Sequence, residues 1–435
     1  MLERGNGEYV AALYPSVEQP DRLLSSLVSD ERMLSFFLGE RGSYLFCGKG
    51  VELTVHELPA KGLIEQHVDY FLSLLQQMAN EPAGASSAIP KGVLDSAANE
   101  LFDLLIGPVA KDLESGERLI IIPDGLLNRL PFALLRSGGR YLVEDHDVSY
   151  APSLRTLRYL RQRNAVRSRS SRVNEYNVIA VGASGEGAAA AGGGNRVYPF
   201  TDIPIEPLPL AAREARDVSS IFSRSLVLSG RSAGESAFKG SRIDDTGIIH
   251  IAAHAYIDND DVRRSFIVLN PERSFEDTLA PPAEDGLLQW HEIAALKLNA
   301  PLVTLSACRS AGGVLSSGEG ISGLTDAFLY AGAGCVVAAQ LDVSDDLTGE
   351  MMIEYYRNVR KGLGCAAALS AAQRSLLANG GALGSPAVWG AFAAIGDGAS
   401  APKLPRGFAH PAYGALAICV VAAALTALFV LRRRR

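Results

Sequence analysis

Gly247–Ala255 reads GIIHIAAHA, a short apolar run that closes on a histidine. Apolar side chains occupy both alternating faces, so neither face suits water, and a strand covered by helices on both sides is the expected structure. Runs of the same kind recur at Arg118–Pro123 (RLIIIP), Asn177–Ala183 (NVIAVGA), Ser265–Leu269 (SFIVL), Pro301–Ala307 (PLVTLSA), Gly334–Gln340 (GCVVAAQ) and Ala391–Gly396 (AFAAIG). Amphipathic helical stretches lie between many of them, at Ala211–Phe222, Gly320–Ala331 and Leu347–Lys361. Such strands alternating with helices predict an α/β fold: a doubly wound, mostly parallel sheet with flanking helices.

In an open α/β sheet the functional site lies at the carboxyl ends of the strands. Two predicted strands end there in reactive residues: GIIHIAAHA delivers His254 and PLVTLSACRS delivers Cys308, 54 positions later. A thiol attacks as its thiolate, and an imidazole nearby takes the proton and later returns one to the leaving amine. The bland readings stand beside this one: a buried Cys is usually a small hydrophobe and a buried His a satisfied core residue. Cys335 and Cys365, inside Val- and Ala-rich runs, read as core. His250 shares the alternating face of His254, but a zinc pair at that spacing needs a helix, which this run does not offer. Asp345-Asp346 either line a substrate pocket or cap a helix starting near Leu347. Gly182–Gly187 (GASGEG) follows a strand, yet further glycines and Tyr198-Pro199 come after it instead of the helix N-terminus that a pyrophosphate requires.

Composition supports a globular chain, with 48% hydrophobic and 20% charged residues. A net charge of −7, with Arg432–Arg435 gathered at the C-terminus, gives no basic surface for nucleic acid. The five cysteines are odd in number and widely spaced, unlike a disulfide framework, which fits a reducing compartment. The first ninety residues read as a helical and hairpin region: helical over Pro20–Leu38, a hairpin of Ser43–Cys47 and Val51–His56 about Gly48-Lys49-Gly50, then helical over Leu63–Met78. A Pro-, Gly- and Ser-rich linker follows at Asn80–Lys91. Ala412–Leu431 holds twenty residues without a charge, enough to span ~30 Å of hydrocarbon as a C-terminal transmembrane helix. The arginines after it favour a cytoplasmic C-terminus, whereas Met1–Pro20 lacks the apolar core of an export signal; we expect a tail anchor with a cytoplasmic catalytic domain.

The segments LIIIPDGLLNRLPFALL (Leu119–Leu135), YLVEDHDVSYAPSLRTL (Tyr141–Leu157), LPLAAREARDVSSIF (Leu208–Phe222), IIHIAAHA (Ile248–Ala255), LVTLSACRSAGG (Leu302–Gly313), GEGISGLTDAFLYAGAGCVVAAQ (Gly318–Gln340) and SPAVWGAFAAIGD (Ser385–Asp397) together resemble the CHAT family, a branch of the caspase and separase clan of cysteine peptidases. Ala307-Cys308-Arg309 with a histidine ~50 residues upstream is similar to the caspase pattern. The resemblance implies a caspase-like fold: an N-terminal part over 1–90, a first, pseudo-caspase half over 91–165 and a catalytic half over 175–398. A linker at 399–410, the membrane helix at 411–431 and a basic tail at 432–435 would follow. It also implies His254 and Cys308 as the catalytic dyad, with the backbone N–H groups of Ala255 and Cys308 for the oxyanion and a pocket retained at Asp345 and Thr348. No cofactor or metal is implied. The expected partner is a protein substrate, a membrane-acting or pore-forming effector by analogy with bacterial defence and cell-death proteases. The chain departs from the family pattern at Ala255, commonly Gly, and at Leu341, usually Trp. No 34-residue repeat precedes the module. A catalytically silent scaffold at the membrane is the alternative, and retention of both His254 and Cys308 argues against it.

Overall fold

The apolar runs assemble into one eleven-stranded sheet in the computed structural model. It describes residues 19–81, 88–169, 174–184, 196–197, 204–205, 207–258, 261–270, 284–307, 320–341 and 345–404. Residues through Pro402 form one unit, and the second, 403–435, contributes only Lys403 and Leu404 to that description. The sheet strands are β1 (Glu31–Phe37), β2 (Ser43–Lys49), β3 (Glu52–Leu58), β4 (Arg118–Ile122), β5 (Asp147–Tyr150), β6 (Tyr176–Gly182), β7 (Ser225–Ser229) and β8 (Thr246–Ala252). A small antiparallel sheet follows, of β9 (His254–Tyr256), β10 (Phe266–Val268) and β11 (Leu287–Gln289), before the large sheet resumes with β12 (Leu302–Ser306), β13 (Cys335–Ala339) and β14 (Phe392–Gly396).

The large sheet runs β7-β6-β8-β12-β13-β14-β5-β4-β1-β2-β3. It is parallel except where β14 returns against β13 and where β2 and β3 fold back as a hairpin. The expected mostly parallel α/β sheet is therefore present. Every residue of β8 and β12 is buried, as continuous apolar runs require, whereas β3 at the open edge is largely exposed and carries Glu52, His56 and Glu57. One face packs the helices Leu154–Arg169 and Gly320–Ala331 through Leu160, Leu324 and Phe328 against Ile249, Ile251, Val303 and Leu305. The other carries Ala211–Ser220, Asp345–Arg360 and Cys365–Asn379.

Two expectations are corrected. The helix predicted over Pro20–Leu38 stops at Leu24, and its second half is β1, paired with β2 and β4. Its charged residues Glu31 and Arg32 look like a helix's wet side, yet both are buried and ion-paired. The run Ser265–Leu269 forms β10, buried as expected but in the small sheet. The Ala412–Leu431 segment lies outside the described residues; among those described, no helix is long and apolar enough to cross a membrane. Cys335 and Cys365 are core, as read, and burial pushes the Cys335 thiol well up.

Arg32 grips Glu117 with two hydrogen bonds, 2.8 and 3.0 Å, and Lys49 Nζ lies 2.6 Å from the same carboxylate. Burial alone would raise the pKa of Glu117, but the two cations outweigh it and hold it at about 2, against an ordinary 4.5. A lowered carboxylate stabilises the fold fully above pH 4.5 and loses that contribution as pH falls toward 2. A displacement of that size corresponds to about 3 kcal/mol. Urea titrations between pH 6 and 2 should therefore show a steeper loss of stability in the wild type than in Glu117→Gln.

Candidate active site

Gly182, Ala252 and Ser306 are direct partners on the adjacent strands β6, β8 and β12. Ala183 N–H donates to Ala252 O at 2.9 Å and Ala253 N–H to Ser306 O at 3.4 Å, so the three strands run level to their carboxyl ends. Close packing fixes the first of them: a Cβ on Gly182 would sit 2.5 Å from Ala211 O, at the start of the helix lying over β6. The glycine of the GASGEG stretch is thus explained by helix packing, and residues 185–187 lie outside the described residues.

One residue past Ala252 the chain leaves the large sheet and begins β9 with His254, which is 5% exposed. His254 is paired with Val268, and Val268 with Leu287, so the imidazole's backbone belongs to the small sheet. Cys308 lies outside the described residues, which stop in this segment at Ala307. The strand that ends two residues before His254 and the strand that ends two residues before Cys308 are neighbours in the sheet.

Ala255 pairs with Ile267, and its methyl belongs to the apolar cluster. It lines a pocket of about 390 Å³, part of it open to solvent, with Ile257, Leu305, Ala307, Leu324, Thr325, Ala338 and Ala339. Ser306 faces the other way by strand alternation, with Thr304 and the neighbouring His250.

His250 is fully buried, with Nδ1 3.2 Å from the Tyr356 hydroxyl and Nε2 3.1 Å from Glu214 Oε1, the latter close enough for an ion pair but outside hydrogen-bond geometry. It is a core residue beneath the site, and its strand geometry removes the zinc-pair reading. Asp345 and Asp346 open the helix Asp345–Arg360 two residues ahead of the expected start, so they lie in its first turn rather than capping it from outside.

Two hydroxyls escaped the sequence reading. Ser306 and Ser184, the latter two residues past the rung that holds Gly182, are buried with oxygens that meet no hydrogen-bond partner among the described residues. Leaving such a group unpaired costs ~1–3 kcal/mol. Alternation from Cys308 and alignment of the three strand ends would have found both.

Among solved structures, the chain is similar to separase of Saccharomyces cerevisiae in its complex with securin, with a TM-score of 0.52 and 10% identity, covering 87% of this chain and 30% of that one. The CHAT domain model matches residues 95–397, and the chain belongs to the CHAT family. Two curated relatives are both tetratricopeptide repeat protein 28, 25% identical over 367 residues in Homo sapiens and 24% over 382 in Mus musculus. These matches cover 75% and 77% of this chain but only 14% and 15% of the relatives' length.

Proposed function

We propose that the protein is a cysteine endopeptidase that uses His254 and Cys308. The observation that carries this reading is the rung of Ala252 and Ser306, from which each proposed catalytic residue lies two positions onward. His254 takes the Cys308 proton, and the thiolate attacks the scissile carbonyl carbon. Backbone N–H groups of Ala255 and Cys308 receive the oxyanion. The C–N bond then breaks as His254 protonates the amine, and water, deprotonated by His254, releases the acyl group from sulfur. Asp345 and Asp346, in the first turn of the helix after β13, are proposed to border the pocket for the substrate's P1 side chain.

The substrate in this reading is a protein at a membrane, where a C-terminal anchor over 411–431 would raise local concentration without a new contact. A pore-forming effector in a bacterial defence pathway fits that placement, and the catalytic domain would face the cytoplasm. The activity test incubates the full chain and its Cys308→Ala variant with a peptide library varied at P1. Cleavage by the wild type that vanishes in the variant is expected, and cleavage that persists would end the proposal. Tags at either side of residues 411–431, probed with external protease, decide the topology.

A further inference from the structure

Beside the small sheet lies a cluster with no part in the chemistry above. Lys239 Nζ donates to Glu235 Oε1 at 2.5 Å, Glu284 Oε2 at 2.7 Å and Glu292 Oε1 at 2.8 Å. Among the described residues, these three glutamates form a grouping whose oxygens lie within 4.8 Å of one another, close enough for a metal. The lysine ammonium already sits among them, so the arrangement serves as an ionic knot.

The knot's contacts run to backbone. Glu235, 1% exposed, accepts the Gly286 N–H on its second oxygen at 3.1 Å, and Glu292 accepts the Gln289 N–H at 2.8 Å. Asp285 accepts the Leu287 N–H at 2.8 Å. Gly286 has φ of +86°, a left-handed conformation that glycine adopts at little cost, and its carbonyl accepts from Leu269 N–H at 2.7 Å. Both ends of β11 are therefore gripped by carboxylates that Lys239 holds together. From β11 the connection is direct: Leu287 pairs with Val268, and Val268 with His254.

We propose that Lys239, with Glu235, Glu284 and Glu292, forms a positioning anchor for His254, fixing through β11 and β10 the strand on which the imidazole is mounted. The claim rests on the peptidase reading for its consequence, though not for its structural content. An imidazole displaced by about 1 Å from its thiol partner loses on the order of a hundredfold in rate. Lys239 acts through the sheet and touches no reacting atom.

The anchor also carries a pH dependence. Burial, with Glu284 and Glu292 close by, pushes Glu235 up to about 8 despite Lys239, so its proton is held among the carboxylates at neutral pH. The charged groups facing it are Lys239 on its own helix, Glu284 and Asp285 before β11, and Glu292 in the helix after it. As pH rises toward that value the unfolded chain has already lost this proton, so the stability the anchor supplies falls over that range. A raised carboxyl makes folding less favourable as pH climbs from the ordinary 4.5 through 8, the reverse of Glu117.

The test is amide hydrogen exchange, read by mass spectrometry on the full chain, for Lys239→Met, Lys239→Arg and the milder Glu284→Gln. Exchange over β9, β10 and β11 should rise about tenfold or more in Lys239→Met, less in Glu284→Gln and little in Lys239→Arg, while β8 and β12 stay unchanged. Corrected for intrinsic rate, it should accelerate as pH rises from about 5 to 8 and level off above that in the wild type, and stay flat in Glu235→Gln. Peptide cleavage should fall at least tenfold in kcat for Lys239→Met, with KM little changed and recovery in Lys239→Arg. If Lys239→Met leaves exchange over β9 unchanged, or loosens β8 and β12 equally, the anchor is refuted. Wild-type protein without Cys308-dependent cleavage would instead sink the peptidase reading, and the exchange result would still decide the anchor.

Discussion

On the proposed mechanism, His254→Ala should lower kcat for peptide cleavage by about 10²–10⁴ with KM little changed, and Cys308→Ala should reduce it to background. The asymmetry follows from the roles. Without His254 the thiol still ionises to a small extent and attacks slowly; without Cys308 there is no nucleophile. His250→Phe separates site from core: its side chain is buried against Tyr356 and Glu214, so it should destabilise the fold and leave kcat of the folded fraction near wild type. Steady-state kinetics on folded protein, quantified by near-UV circular dichroism, checks all three. A His254→Ala variant of undiminished kcat would remove the imidazole from the mechanism.

The largest expected stability effect belongs to Arg161. Its guanidinium lies 2.5 and 2.8 Å from Glu31, which is 2% exposed, and 3.3 Å from Asp397, and it donates to Ser26 O at 2.5 Å. One side chain thus joins the entry of β1, the helix Leu154–Arg169 and the end of β14, elements brought together from opposite ends of the chain. Arg161→Met leaves two buried carboxylates short of a cation, and breaking a buried pair in this way costs about 3–5 kcal/mol. Arg118 Nη1, 3.4 Å from Glu31, compensates in part, which places the expected loss near the lower end. Urea denaturation should show this as a reduced midpoint with unchanged slope. Adding Glu31→Gln to Arg161→Met should recover part of the loss, since the double variant no longer strands that charge. A purely additive result would mean that the pair contributes no coupling.

How far the sequence could be read depended on what each residue's partners were. β8 and β12 were legible because Ile248–Ala252 and Leu302–Ser306 are apolar without interruption, and only a doubly covered strand uses such a run. β1 was not. Leu23, Leu24, Leu27 and Leu34 mimic a helical stripe, and nothing local announces that Glu31 and Arg32 are neutralised by Arg161 and Glu117, 130 and 85 positions away. β5, four residues reading Asp-Val-Ser-Tyr, is too short and polar to be seen, and gains its place by pairing with β4. β10 was seen as a buried run but assigned to the wrong sheet, because burial does not specify a neighbour. At the site, the strand end that presents His254 was legible from the run before it. The Lys239 knot was invisible, since Glu235, Glu284 and Glu292 are ordinary surface residue types until the fold gathers them around one ammonium.

The most direct measurement of the central claim is covalent trapping. The full chain is incubated with short peptides that end in a thiol-reactive electrophile and differ at P1, then digested and mapped by mass spectrometry. Modification is expected at Cys308, dependent on the P1 residue and at least a hundredfold slower in His254→Ala, with the buried thiols of Cys47, Cys335 and Cys365 untouched. Modification of Cys308 at the same rate with and without His254, or indifferent to every P1 residue offered, would contradict it.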